Sequence, residues 1–313
     1  MAQPLSTGYP HTVTVVIPHR GGDTGLWACI RALRAQTYPT GLFNVVIALN
    51  EPTRRNLDFD LRESESLVWE PRGFSYNARN TGIKSSTSDV VALTDSDTVP
   101  DPEWLTEGVA ALSAGADIVA GHITVTTTTM KASLPALYEL LFAFDQQKNV
   151  AGGFSTTANL FARRHVFTQQ GLFDETALTG EDFEWTRSAV ENGVTLTYSP
   201  HASVEHPARE TWSALFAKAR RTTLPYVGIA DSGSSPGHHL RERFRFQLIA
   251  PPSPSRVSAL SKPQRSIARF VRLVLVAYKA LCLLRVVPAF KKDLRATGEK
   301  QLTLEPAIQG ANL

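Results

Sequence analysis

Residues 90–97 read Val90-Val91-Ala92-Leu93-Thr94-Asp95-Ser96-Asp97, and the fold turns on them. The run from 90 to 94 is short, apolar and β-branched, as expected of a strand buried on both faces. Asp95 and Asp97 follow at its carboxyl end, one residue apart. Two like charges that close repel, and partial burial raises the cost of each. A divalent cation removes both costs, and hard oxygen ligands suit Mn2+ or Mg2+. The alternative is an acidic turn that starts a helix, because Thr98-Val99-Pro100-Asp101-Pro102 follows and Asp and Pro favour helix starts.

Upstream, residues 13–17 are a β-branched run that Pro18 should stop, and 43–49 form a second apolar strand. Helical spacing runs over 26–35 and 77–85. Downstream, 103–112 reads as a helix with acidic first turns and 117–120 as a strand. Strands alternating with helices imply an α/β fold, with a mostly parallel central sheet covered by helices on both faces. Such sheets bind ligands beyond the carboxyl ends of their strands, where Asp95 and Asp97 fall. The second half is less regular. It reads as an extended segment over 122–129, a long amphipathic helix over 134–145, a strand over 157–162, a loop over 173–180, a helix over 181–192, a strand over 195–198 and a helix over 212–221.

The 313 residues are 42% hydrophobic and 19% charged, which suits a globular chain with one large core or two modest ones. Cys29 and Cys282 sit singly in apolar stretches, so they offer neither a metal spacing nor a disulfide framework, and the cytoplasm is the expected setting. Residues 261–300 hold ten Lys/Arg and two Asp/Glu, against 22 and 27 elsewhere. A mildly acidic body thus carries one basic segment, and no nucleic acid is expected as a partner.

Six ordered stretches then carry a resemblance. Val15-Val16-Ile17-Pro18 is similar to an opening strand, and Leu33-Arg34-Ala35-Gln36-Thr37-Tyr38-Pro39 to an "L-x-x-Q-x-Y-P" helix end. Ala78-Arg79-Asn80-Thr81-Gly82 resembles "A-R-N-x-G", Asp95-Ser96-Asp97 a DxD motif, Gly180-Glu181-Asp182 a "G-E-D" motif, and His206 a late histidine. Together they resemble the inverting family 2 glycosyltransferases of the GT-A fold, over about two-thirds of the chain. The resemblance implies a nucleotide-sugar donor, UDP-linked by family frequency, and a hydroxyl of a glycan or lipid-linked acceptor. It implies Asp97 and His206 as metal and diphosphate ligands, with Asp95 on the metal or the ribose. Asp182 is implied as the general base, with Glu181 and Trp185 on the acceptor side. Pro18, Arg20, Arg79, Asn80, Asp95 and Ser96 fall on the donor side. The loop after the second strand lacks the family's usual acidic residue, which Leu49 replaces, so Asn50 or Glu51 must substitute there. Trp185 has a buried core role as its alternative. The rival functions are another metal-dependent nucleotide enzyme, such as a nucleotidyltransferase, and a non-catalytic glycan- or membrane-binding scaffold. His19-Arg20-Gly21-Gly22-Asp23 only faintly imitates the phosphate loop that the first rival needs.

The expected division is a leader over 1–11 without a signal-peptide pattern, a GT-A catalytic domain over 12–230, a loop or linker region over 231–260, a basic amphipathic helical extension over 261–300 and a polar tail over 301–313. Variable loops at 122–156 and 222–250 are expected to build the acceptor pocket. Within 264–290, Arg265, Arg269, Arg272 and Lys279 fall on one helical stripe amid apolar residues. Such a helix either contacts an anionic membrane peripherally, on its cytoplasmic face, or packs on the protein.

Overall fold

The computed structural model describes residues 11–177, 179–223 and 251–297, without the side chains of 283–297. The leader (except residue 11), most of the linker region, most of the second acceptor loop and the polar tail therefore lie outside the described residues. Contacts divide the chain into a first unit, residues 1–130 with 142–208, and a second, 131–141 with 209–313.

The first unit runs β1 (Val13–His19), α1 (Thr24–Leu33), β2 (Phe43–Leu49), β3 (Glu65–Trp69), α2 (Ser75–Lys84), β4 (Val90–Thr94), β5 (Val99–Pro100), α3 (Trp104–Ser113) and β6 (Ile118–Thr126). After α4 (Leu134–Phe142), which lies almost wholly in the second unit, come α5 (Gln146–Ala151), β7 (Asn159–Arg163), α6 (Arg164–Gln170), α7 (Glu181–Glu191) and β8 (Leu196–Pro207). One sheet holds all these strands in the order β3-β2-β1-β4-β7-β6-β8-β5. The first four are parallel, β7 is antiparallel to both neighbours, β8 is parallel to β6, and β5 is antiparallel to β8.

Alternation along the strands builds two cores. Val13, Val15, Ile17, Val90 and Ala92 meet Leu26, Ile30, Trp104 and Leu105 of α1 and α3 on one face. Val16, Val91 and Leu93 meet Ile83, Val166 and Trp185 of α2, α6 and α7 on the other. Full burial of each such side chain contributes about 1.5–3 kcal/mol. Gly82 lets α2 approach β1, because a Cβ there would collide with Val16 Cγ1.

Several expectations need correction. β1 continues through Pro18, which is tolerated because pairing with β4 stops at Val16 and leaves Pro18 opposite β2 alone. The segments at 117–120 and 122–129 are mostly one strand, β6, whose register against β8 shifts between Gly121 and His122. The last strand is far longer than 195–198, because its pairing with β6 continues to Pro207. The helix expected over 134–145 stops at Phe142, and Phe144 takes a left-handed φ of 55° before Asp145 caps α5. Sequence reading missed β3, a strand at the sheet's margin whose mixed polarity hides it.

The second unit contains α4, α8 (Trp212–Arg221), α9 (Pro254–Ala259) and α10 (Lys262–Thr297). Leu215 and Ala219 of α8 pack on Val271 and Leu275 of α10. Glu139 is fully buried and holds Arg209 at 2.9 Å and Lys218 at 2.8 Å. Those two cations overcome the cost of burial and hold its carboxyl down to about 2. No described helix is long and apolar enough to cross a membrane.

Candidate functional site

Sheet pairing brings the metal candidates together. β4 ends at Thr94, whose hydroxyl lies 2.7 Å from that of Thr98 and donates to Ala158 O at 3.1 Å. Thr98 ties the turn back through Oγ1 to Asp95 O at 2.8 Å. Two residues beyond Asp97, β5 pairs with β8, Val99 opposite Glu205. That register delivers Asp97 to His206, whose Nε2 lies 3.5 Å from Asp97 Oδ1. His206 therefore lies within a strand, not after one. One donor atom from each of Asp95, Asp97 and His206 falls within a cluster no wider than 4.8 Å. Opposite ligands on an octahedral ion sit about 4 Å apart, with metal–oxygen distances near 2.1 Å.

The chemistry of the cluster fits a cation. His206 is only 2% exposed, and its ring packs against Phe144 with centroids 4.3 Å apart. Its Nδ1 lies 2.9 Å from Pro207 O, which can only accept, so Nδ1 carries the hydrogen. In the neutral ring Nε2 then presents its lone pair toward Asp97, as in a metal-ligating histidine whose other nitrogen donates to a carbonyl. Asp97 has a half-exposed side chain and no hydrogen-bond donor among the described residues. Ser96 lies half-buried between the carboxylates, and its carbonyl is backed by Gly25 of α1.

The second carboxylate pair opens α7. Gly180, at the N-cap, has φ 85°, a left-handed conformation that suits glycine. Asp182 Oδ1 accepts from Tyr76 Oη at 3.3 Å and from Phe183 N at 3.0 Å. Its Oδ2 makes no hydrogen bond among the described residues. Glu181 accepts from Asp174 N at 2.8 Å. Burial pushes the Glu181 carboxyl up to about 7, and the charges of Asp174, Asp182 and Glu184 add to the shift.

One stripe of α2 braces both pairs. Tyr76 reaches Asp182, and Arg79 binds Asp95 Oδ1 through Nη2 at 2.5 Å. Arg79 is 4% exposed, and its Nε has no hydrogen-bond partner among the described residues. Asn80 is 1% exposed, and its amide clamps Phe173 by both backbone groups, at 2.8 and 3.1 Å. It holds the loop that leads to Glu181 and Asp182. Lys84, on the same stripe, binds Glu175 in that loop at 3.1 Å.

The corner beyond β1 and β2 is closed by its own charges. Arg55 binds Asp23 at 2.7 and 3.0 Å, and its Nε lies 3.1 Å from Glu51 Oε2. Glu51 also accepts from Gly21 N at 3.0 Å, and His19 Nε2 lies 2.9 Å from Asp23. Hydrogen bonds from Arg55 hold the Asp23 carboxyl well below the usual carboxylate range. The Gly21 N–H and Arg55 lower that of Glu51. Glu51 is thus engaged by the protein itself. Asn50 is 5% exposed and donates to Arg72 O at 2.6 Å, so its amide nitrogen braces the segment after β3. Arg20 is exposed and Pro18 half-buried at this corner.

Trp185 takes the buried core role that was its alternative. It is 5% exposed, stacks on Phe167 at 4.8 Å, packs on Phe173 at 5.1 Å and donates its indole hydrogen to Gly171 O at 2.9 Å. Sequence reading missed Tyr76, although it precedes Arg79 by three residues and so shares its helix face.

A family model described as glycosyltransferase like family 2 matches residues 10–223. The chain is 29% identical over 205 residues to the glycosyltransferase AglE of Haloferax volcanii, covering 63% of this chain and 67% of that protein. It is 28% identical over 220 residues to the pre-mycofactocin glycosyltransferase of Mycobacterium tuberculosis, covering 63% of this chain but 43% of that protein. Among solved structures, a mannosyltransferase from Pyrobaculum calidifontis, in complex with GDP-Man and Mn2+, superposes with a TM-score of 0.55 at 16% identity, over 88% of this chain and 87% of that one. The last likeness bears out the expected GT-A fold.

Proposed function

The chain belongs to the glycosyltransferase-like family 2, and on that premise we propose that it moves a sugar from a nucleotide donor to an acceptor hydroxyl with inversion, using Asp182 as general base. The observation that carries this reading is the chain of contacts from Asp182 through Tyr76 and Arg79 to Asp95. It ties an open carboxylate oxygen to the candidate metal cluster.

In this reading Asp95, Asp97 and His206 hold a divalent ion, Mn2+ or Mg2+, of which the imidazole nitrogen favours Mn2+. When bound, that ion neutralises the charge that develops on the departing diphosphate. The acceptor oxygen forms its bond to the anomeric carbon as the bond to the diphosphate breaks on the opposite side. Asp182 Oδ2 takes the hydroxyl proton, and the electron pair leaves with the nucleoside diphosphate. Glu181, half-buried and with its carboxyl raised to about 7, is a hydrogen-bonding partner for the acceptor. Arg79 secures Asp95, while Ser96, Arg20 and Pro18 line the donor side, within a catalytic domain over 12–230. A UDP-sugar rests on family frequency, and GDP-mannose, named for the structural neighbour, is its rival. The acceptor is a glycan or a lipid-linked sugar. The test is nucleoside diphosphate release from a panel of nucleotide sugars with Mn2+. Wild type should turn over one of them, with an inverted anomer in the product, and Asp182→Asn should bind it without turnover. Full turnover by Asp182→Asn would sink the assignment.

Peripheral contact with an anionic membrane on its cytoplasmic side belongs to the same reading. Phe270, Leu273 and Leu281 of α10 are 61%, 67% and 55% exposed, and Arg269 lies exposed beside them. An apolar stripe flanked by cations suits a helix lying in a lipid interface. Wild type should float with vesicles containing phosphatidylglycerol, and a Phe270→Ser, Leu273→Ser, Leu281→Ser variant should not. Equal flotation would remove this helix as the contact.

A further inference from the structure

We propose that Tyr76 is a positioning residue that aims the Asp182 carboxylate, a role that rests on Asp182 being the base. A hydroxyl has one hydrogen to give and two lone pairs to accept with. Gly180 N already donates to Tyr76 Oη at 3.0 Å, so the hydroxyl hydrogen is available to Asp182 Oδ1, 3.3 Å away. One oxygen atom thus holds both the left-handed N-cap of α7 and the carboxylate in its first turn. Phe183 N is the second donor to the same Oδ1. With Oδ1 held twice, Oδ2 is turned outward as the oxygen that meets the acceptor.

The ring is as fixed as the hydroxyl. Tyr76 is 8% exposed, packs on Phe173 with centroids 5.9 Å apart and lies under the Arg79 guanidinium at 5.8 Å. Arg79 in turn holds Asp95. α2 therefore sets the distance between the carboxylate that receives the proton and the one that faces the diphosphate. Reactions of this kind depend steeply on that distance, since about 1 Å of misplacement costs on the order of 100-fold in rate.

The test is Tyr76→Phe, which keeps the ring and removes only the hydroxyl. Its kcat should fall about 10- to 100-fold, with the donor Kd and acceptor KM unchanged. Wild-type kcat in Tyr76→Phe overturns the proposal. So does a fall in kcat matched by a weakened donor Kd, which marks a merely structural residue. Asp182→Asn measured alone separates the two claims. If it turns over normally, the base reading fails and this proposal with it; if it is inactive while Tyr76→Phe is normal, only this proposal fails. Should Tyr76→Phe not fold, 3-fluorotyrosine at position 76 keeps the shape and changes only the hydroxyl's acidity. It should alter kcat without altering the donor Kd, and an unchanged kcat overturns the proposal.

Discussion

Two acidic clusters sit beyond the carboxyl ends of the sheet, and they differ in how their charge is met. At the tips of β1 and β2, Asp23 and Glu51 share one guanidinium, and Asp23 receives further hydrogen bonds from Asp58 N and His19. In that cluster both carboxylates are met by hydrogen-bond donors of the fold. At the tip of β4, Arg79 reaches Asp95 alone, and among the described residues Asp97 has only His206 Nε2, at 3.5 Å. Such an arrangement costs free energy until a cation arrives. The difference teaches that an acidic turn is informative when the fold leaves its charge unmet, and that acidity alone is not.

The comparison breaks most visibly in turnover. Asp97→Asn and His206→Ala should each lower kcat by about 100-fold or more, since each removes a ligand from the charge-stabilising ion. Asp23→Asn should leave Mn2+ affinity unchanged and cost about 1–3 kcal/mol of stability, read as a lowered thermal midpoint. A fall in Mn2+ affinity with no loss of stability would reverse the two roles. The same contrast has a pH signature. Asp23 and Glu70 titrate below their unfolded values, Glu70 down to about 2 through Arg72. Their stabilisation is therefore full above pH ~4, the unfolded range, and is lost as pH falls toward ~2. Asp23→Asn should flatten this acid loss in a melting series from about pH 5 to about pH 2, and an unaltered slope would count against it.

Smallest is the effect at Glu181, whose carboxyl is raised to about 7. A raised carboxylate stabilises below its unfolded value of ~4.5 and loses that contribution as pH rises through ~7. Glu181→Gln should therefore stabilise at pH 8 by about 1 kcal/mol after solvent screening, and do nothing at pH 4. A melt that moves equally at both pH values would contradict this.

Much of the fold was legible because buried strands announce themselves. The run at 90–94 and the alternation at 13–17 are apolar on both faces, and each appears in place. β3 was not legible, because a strand at the margin with a polar side carries no such run. The candidate metal site could be read in part: Asp95, Asp97 and His206 do gather, but the β5–β8 pairing that joins them spans about a hundred residues and leaves no local trace. Side-chain direction was the least legible part. Asn50, Asn80 and Trp185 were placed by motif or by ring chemistry, and in the fold each gives a polar group to the backbone, of Arg72, Phe173 and Gly171. A motif fixes which residue stands at a position, whereas packing fixes which way its atoms face. Tyr76 is the converse case, unremarkable in sequence and central once Gly180 folds against it.

The most direct measurement is calorimetric titration of Mn2+ into the protein with UDP or GDP present, wild type beside an Asp97→Asn, His206→Ala double variant. Wild type should bind one Mn2+ per chain, and the double variant should lose that binding while keeping its melting temperature. Undiminished Mn2+ binding by the folded double variant would contradict the assignment of Asp95, Asp97 and His206 as the metal–diphosphate site.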